Sequence, residues 1–317
     1  MTISLLNLDK DLKFSNPFTT EDGKERAHVA MKSLETVWFN TGTLCNLSCE
    51  NCYIESTPRN DRLSYLTLNE VEIYLEEIRK ERIETREIGI TGGEPFMNPD
   101  ILEIARSVLV RGFSLLILTN AMRPMMRPAI QSGLLDLKSD FGNELTLRVS
   151  VDHFSQTVHE KERGKGSWAP MIDGLRWLSE NGFKIAVAGR NQSQESDDEL
   201  RRGFSRLLKE NQIRIDAHDS RELVLFPEMD DFSSVPEITT DCWGILGVSP
   251  DDMMCASSRM IVKHKEKDKP SVMACTLLAY DQRFDLGNTL QEASKSVYLN
   301  HQHCAQFCVL GGGKCSG

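Results

Sequence analysis

From Thr36 to Phe226, short runs of Val, Ile, Leu and aromatic residues recur along the chain, each followed by a stretch with helical spacing of apolar positions. The runs Thr36–Asn40, Glu87–Thr91, Ser114–Thr119, Leu145–Val151, Lys184–Gly189 and Glu222–Phe226 are bounded by Gly, Asn or charge, and they predict strands. Between them, Thr67-Leu68-Asn69-Glu70 has the form of a capping box, and Val71, Tyr74, Leu75 and Ile78 continue it at helical spacing. Asn98-Pro99-Asp100 reads as a cap, a first-turn proline and a first-turn acid, with Gly112 where that helix should stop. Trp168 to Asn181, closed by Gly182, and Asp197 to Glu210 supply two further helices. Strand alternating with helix six times predicts an α/β fold, a parallel sheet wrapped by crossover helices. Strands that are apolar along most of their length fit a sheet covered on both faces. Periodicity alone leaves a closed barrel, an open part-barrel and a doubly wound sheet all possible.

Beyond Phe226 the rhythm changes. Pro227 to Asp252 is acidic and turn-rich and reads as a connection. Met260-Ile261-Val262 and Ser271-Val272-Met273 flank the charged tip Lys263 to Lys269, which predicts a hairpin with a solvated turn. Thr289-Leu290-Gln291-Glu292 is a second capping box, expected to open a short helix toward Leu299. The organisation expected is an extension over residues 1–34, a core over 35–230, and a linker with a small cysteine-rich α+β module over 231–317.

Composition narrows the function classes. Of 317 residues, 40% are hydrophobic and 26% charged, a globular mixture rather than a disordered or membrane-bundle one. Lys and Arg number 37 against 47 Asp and Glu, a net charge of −10, so the basic footprint of a nucleic-acid binder is missing. Apolar runs such as Leu115 to Leu118 fall far short of the ~20 residues a membrane span needs. Met1-Thr2-Ile3-Ser4 opens with no cationic stretch before an apolar one, so no export signal is read and a cytoplasmic address is expected. Neither nucleic acid nor membrane is expected as a partner.

The nine cysteines are not scattered. Cys45, Cys49 and Cys52 sit near the start, Cys255, Cys275, Cys304, Cys308 and Cys315 near the end, with Cys242 just before the second group. An odd count without an export signal argues against a secreted disulfide framework, and two cysteine-rich neighbourhoods read as two metal sites. In Cys45-Asn46-Leu47-Ser48-Cys49-Glu50-Asn51-Cys52-Tyr53 the loop is compact enough to turn three thiolates toward one point. Soft thiolates favour iron–sulfur clusters, zinc or copper(I). Three ligands hold three corners of a four-iron cluster and leave one iron open, whereas structural zinc wants a fourth protein ligand.

This loop after the first strand, paired with Thr91-Gly92-Gly93-Glu94-Pro95 at the end of the second, resembles the radical S-adenosylmethionine (SAM) superfamily. Leu118-Thr119-Asn120, Val149-Ser150-Val151-Asp152 and Arg163-Gly164-Lys165-Gly166-Ser167 extend the likeness over roughly residues 36 to 226. Asn51 departs from it, standing where many members carry an aromatic residue before the third cysteine. The resemblance implies a partial (βα)6 TIM-type barrel with a 4Fe–4S cluster on Cys45, Cys49 and Cys52, whose open iron is chelated by SAM. It also implies reductive cleavage of SAM to methionine and a 5′-deoxyadenosyl radical that abstracts hydrogen from a substrate. Gly92, Gly93, Glu94, Pro95, Asn120, Ser150 and Asp152 are the expected cofactor-side residues. Gly92 and Gly93 permit close backbone approach, and Ser150 and Asp152 share one strand face. All stand at carboxyl ends of strands, where barrel folds place chemistry.

The second group is similar to the auxiliary-cluster modules of the same superfamily, of twitch or truncated SPASM form, supported by the Leu286-Gly287-Asn288 turn. It implies a second 4Fe–4S cluster on Cys255, Cys275, Cys304 and Cys308, with Cys315 as alternate. Zinc is the competing metal, because His301 and His303 adjoin Cys304. Cys242 reads as a small buried hydrophobe, with a catalytic thiol as the other reading.

The expectation is therefore a radical SAM enzyme with a small-molecule substrate and a flavodoxin- or ferredoxin-type reductant. The first 34 residues lack the strand and helix content of a leader-peptide-binding domain, which favours the small molecule over modification of a ribosomal peptide. A non-catalytic iron–sulfur scaffold or sensor is the rival of another class.

Overall fold

The computed structural model describes residues 13–191, 195–229 and 235–313; Cys315 lies outside them. Six parallel strands carry the core: β2 (Thr36–Asn40), β3 (Glu87–Thr91), β4 (Ser114–Thr119), β5 (Leu145–Asp152), β6 (Lys184–Asn191) and β7 (Leu223–Pro227), following β1 (His28–Val29). The helices between them are α1 (Leu68–Glu81), α2 (Ile101–Val110), α3 (Pro128–Phe141), α4 (Gln156–Arg163), α5 (Trp168–Glu180) and α6 (Asp197–Glu210). Sequential parallel strands with crossover helices in a sheet that does not close on itself make a partial barrel, and side chains such as Trp38, Ile88, Ile90, Ile117 and Val149 are fully buried in it.

The strands fall where the apolar runs predict them, within two residues. The α1 capping box is complete: Thr67 accepts from the Glu70 backbone, and Glu70 returns the bond to Thr67. Helices α3 and α4 carry little periodic signal. Gly133 interrupts the α3 pattern, and α4 is Gln-Thr-Val-His-Glu-Lys-Glu-Arg, whose buried residues are the polar His159 and Glu162.

Beyond β7 come a short helix α7 (Cys242–Leu246), β8 (Ser258–Val262), β9 (Ser271–Met273), β10 (Val297–Tyr298) and a π-helical segment, Cys304–Leu310. The expected hairpin exists, but it is not set apart. β8 pairs in parallel with β2 on its far side, so the main sheet has eight strands in the order β7-β6-β5-β4-β3-β2-β8-β9. All five β8 residues are buried, as an interior strand requires. The charged tip is tied down by pairs from Lys263 to Glu70, Lys265 to Asp61 and Lys267 to Asp285. Cys275 lies two residues past β9. At Thr289 the reciprocal bonds of a capping box form, yet only the single turn Glu292–Ser294 follows, because the chain leaves to pair β10 with β1. That pairing, with the buried ion pair Arg26–Glu237, binds the segment before the barrel to the segment after it.

Candidate active site

The carboxyl ends of β2 to β6 surround a cavity of about 190 Å³. Cys45, Cys49 and Cys52 line it from the loop after β2, facing Gly92, Gly93 and Asn120. The loop is held from outside. The Asn51 backbone and side-chain N–H groups both donate to the Glu162 carboxylate at 2.9 Å, and Arg190 donates to the Asn51 carbonyl at 2.9 Å. Where the resemblance expects an aromatic residue, this chain therefore has an amide chelated by a buried acid. Tyr53 next to the third cysteine packs under Arg190, whose guanidinium is 4.7 Å from its ring centre.

The two glycines serve the cysteine loop directly. Gly92 has φ +151°, and a Cβ there would meet the Gly42 carbonyl oxygen at 2.6 Å. A Cβ on Gly93 would come within 2.2 Å of the Leu44 carbonyl oxygen. The Gly93 N–H donates to the Gly42 carbonyl (2.7 Å), and the Glu94 N–H donates to that of Leu44 (3.2 Å). This bare backbone lets the end of β3 lie flush against the stem of the loop.

Glu94 and Pro95 line no part of the cavity; they stand behind it. Pro95 opens a buried turn. The buried Glu94 carboxylate accepts from Thr119 Oγ1 (2.8 Å), the Asn120 N–H (2.8 Å) and the Phe96 N–H (3.2 Å). Asn120 turns its side-chain amide to Asn46 Oδ1 at 2.9 Å and to Cys45 Sγ at 3.9 Å. Burial, with the nearby Glu94 charge, pushes the Cys45 thiol up to about 12. Burial also raises Cys49, against the pull of Arg163. Metal binding at such thiols must displace their protons.

Ser150 and Asp152 both face the cavity, as their spacing on one strand predicts. Asp152, at φ +61°, is buried and already engaged: Arg163 Nε approaches it at 2.5 Å and Arg190 Nε at 3.4 Å. Those arginines hold its carboxyl below the usual range despite its burial. Arg163 and Arg190 line the cavity and carry no role in the sequence reading. Arg163 is the first residue of a quoted motif, and Arg190 sits at the end of a strand, so position alone could have flagged both. Phe226, Thr276, Leu277 and Phe307 complete the lining and carry no role in the sequence reading either.

A second, tighter cavity of about 20 Å³ is lined by Cys255, Cys275, Cys304 and Cys308, together with His303. The four cysteines expected at the auxiliary site thus line one cavity, and the buried Arg259 donates to the Cys255 carbonyl beside it. Burial raises Cys255 to about 11 and also pushes the Cys304 thiol well above its ordinary value. Leu277 lines both cavities, and the π-helical segment sends Phe307 to the first and Cys304 and Cys308 to the second. Cys242 lines neither; the Thr239 N–H donates to its sulfur at 3.4 Å. The eight described cysteines form no disulfide, and among the described residues no three His, Cys, Asp or Glu gather around a point fit for one metal ion. Three soft sulfurs spread around a roomy cavity suit a multi-iron cluster, which spaces its ligands wider than a single ion does.

The profile of the Radical SAM superfamily matches residues 39–202. The chain belongs to the radical SAM superfamily. Membership makes it an enzyme of the class that uses a 4Fe–4S cluster and S-adenosylmethionine. Its relatives include the antilisterial bacteriocin subtilosin biosynthesis protein AlbA of Bacillus subtilis, 30% identical over 145 residues, 45% of this chain and 30% of AlbA. The mycofactocin maturase MftC of Mycolicibacterium smegmatis is 28% identical over 159 residues, 49% of this chain and 38% of MftC. Both matches span well under half of those relatives. Among solved structures, SuiB of Streptococcus suis bound to S-adenosylmethionine has a similar fold, with a TM-score of 0.56 at 15% identity over 79% of this chain and 62% of SuiB. Its form bound to the precursor peptide SuiA gives 0.57 at 14% identity, over 80% and 62%. No described helix is long and apolar enough to cross a membrane.

Proposed function

We propose that this chain binds a 4Fe–4S cluster through Cys45, Cys49 and Cys52, cleaves SAM reductively and abstracts hydrogen from a bound substrate. The observation that carries the reading is that all three thiols open onto one cavity at the carboxyl rim, with the Gly92-Gly93 backbone beside them. When bound, the cluster and SAM supply a one-electron cleavage that yields a 5′-deoxyadenosyl radical. The chain's own part is placement and exclusion. Glu94 and Asn120 fix the loop that bears Cys45, and Glu162 and Arg190 fix Asn51 beside Cys52. Ser150 and Asp152 offer oxygens on the cavity wall for hydroxyl groups of the cofactor, and Asp152 is held in place by Arg163 and Arg190. Phe226, Leu277 and Phe307 keep water from the far side, which protects a reactive intermediate.

Residues 35–230 form the catalytic unit in this reading, and 231–317 the auxiliary unit with a second cluster on Cys255, Cys275, Cys304 and Cys308. For the substrate, the names of the relatives favour a ribosomal peptide over the small molecule expected from sequence: a bacteriocin biosynthesis protein, a maturase, and a neighbour bound to a precursor peptide. An external low-potential protein of flavodoxin or ferredoxin type supplies the electron.

Anaerobically reconstituted, dithionite-reduced protein should convert SAM to 5′-deoxyadenosine. A fully loaded cluster that yields none would leave the scaffold or sensor reading in its place. A precursor peptide encoded beside the gene should change mass on incubation with SAM and reductant; an unchanged peptide, with turnover of a small molecule instead, would restore the earlier expectation.

A further inference from the structure

Arginines are rarely buried without an anion, since the desolvation of the guanidinium has to be offset. Here the fully buried Arg26 meets Glu237 at 2.5 Å, and Arg190 meets Asp152 and Glu162. The charge of Arg148 acts on the Glu87 carboxyl, which burial raises. Arg259 is different. It is 0% exposed on β8, yet no carboxylate pairs with it among the described residues. Its N–H groups go to backbone carbonyls: Nε to Ala293 at 2.9 Å, Nη1 to Cys255 at 2.6 Å and Ser258 at 2.8 Å, Nη2 to Lys295 at 3.1 Å. The bond to the Cys255 carbonyl sets the guanidinium against the backbone of a residue whose cavity Cys275, Cys304 and Cys308 also line.

Neutral carbonyls satisfy the hydrogen bonds of a guanidinium but leave its net charge unmatched in a low-dielectric interior. A thiolate-ligated iron–sulfur cluster carries net negative charge, and each added electron increases it. We propose that Arg259 is the built-in counter-charge of the auxiliary cluster and holds that cluster's reduction potential up by stabilising its reduced form. The inference rests on the reading that Cys255, Cys275, Cys304 and Cys308 ligate a cluster. Arg259 is a positioning and tuning residue in this scheme and touches no substrate.

The test uses the full chain with Cys45, Cys49 and Cys52 replaced by Ala, reconstituted anaerobically so that the auxiliary site alone gives a signal. Iron content is measured first, then the reduced-to-oxidised ratio is followed by EPR during a redox titration. About four irons per chain are expected; iron near zero overturns the cluster reading and the proposal with it. At the potential where the reference protein is half reduced, Arg259→Met should be reduced at least tenfold less, a one-electron shift of about 59 mV to more negative potential. Arg259→Lys, which keeps the charge, should stay within threefold of the reference. An Arg259→Met protein with full iron and an unmoved ratio overturns the proposal while leaving the cluster reading intact. If Arg259→Met loses its iron, Arg259→Lys decides: retained iron and ratio support the counter-charge, and loss in both variants shows that shape rather than charge is what the site needs.

Discussion

The Glu94 carboxylate accepts the Asn120 backbone N–H at 2.8 Å across the ends of β3 and β4, and Asn120 in turn reaches Cys45 Sγ with its side chain. An acid that never enters the cavity thereby fixes the position of a thiol that does. Glu94→Ala leaves the Asn120 and Phe96 N–H groups and the Thr119 hydroxyl unpaired in a dry interior. The expected loss is about 2–4 kcal/mol in urea unfolding of the metal-free chain, with a smaller loss for Glu94→Gln.

The same residue gives stability a pH dependence. Burial pushes Glu94 up to about 7, against hydrogen bonds from Asn120, Thr119 and Phe96 and the charge of Arg163, which pull it down. Its folded value thus lies above the ordinary 4.5, so between the two the folded state holds more proton than the unfolded chain. That contribution is fully present below pH 4.5 and is lost as pH rises through 7. From pH 4.5 to 8 the wild type should lose on the order of 2–4 kcal/mol relative to Glu94→Gln, measured by denaturant unfolding at each pH. Parallel curves for the two proteins would refute this.

Gly93→Ala would place a methyl group 2.2 Å from the Leu44 carbonyl oxygen, on backbone that cannot swing aside. Overpacking of this kind costs about 1–3 kcal/mol or more. The displaced cysteine loop should take up far less iron while the second site keeps its share. Gly244→Ala, with nothing within 4 Å of the new carbon, is the control and should leave iron content unchanged.

Asp152 is the anion between two nearly buried cations. Asp152→Asn takes the paired carboxylate from Arg163 and leaves Arg190 only Glu162 at 3.5 Å, and removing one partner of a buried charge cluster costs about 3–5 kcal/mol. SAM binding, followed by isothermal calorimetry on loaded protein, should weaken as well, because both arginines lose their anchor. An unchanged Kd would argue against a place for Asp152 in cofactor binding.

Loading of the auxiliary site should be visible in backbone exchange. The segment Cys304–Leu310 carries two of the four thiols at the second cavity. Iron and sulfide should slow its amide exchange at least tenfold, and the effect should vanish in Cys304→Ala. Protection that persists without Cys304 would mean that the segment is ordered by packing alone.

The two cysteine groups, the six parallel strands and the Gly92-Gly93-Glu94-Pro95 turn were legible from the chain, because each is written in local order: spacing of thiols, period of apolar residues, and residues suited to a tight turn. Helix α4 was not, since its inward side carries His159 and Glu162 and offers no apolar period to read. For the same reason Glu162 was invisible as the partner of Asn51, two residues that stand 111 positions apart. Linear order also could not show that β8 would pair with β2 and bring the second cysteine group against the barrel, because a buried strand carries no mark of its neighbour. What the sequence determined by itself is the chemistry available: which sulfurs, which strand ends, which turns. Tertiary structure alone decided which charges face each other, pairing Asp152 with two arginines and leaving Arg259 among backbone carbonyls, because electrostatic partners in a dry interior are chosen by through-space distance and not by position along the chain.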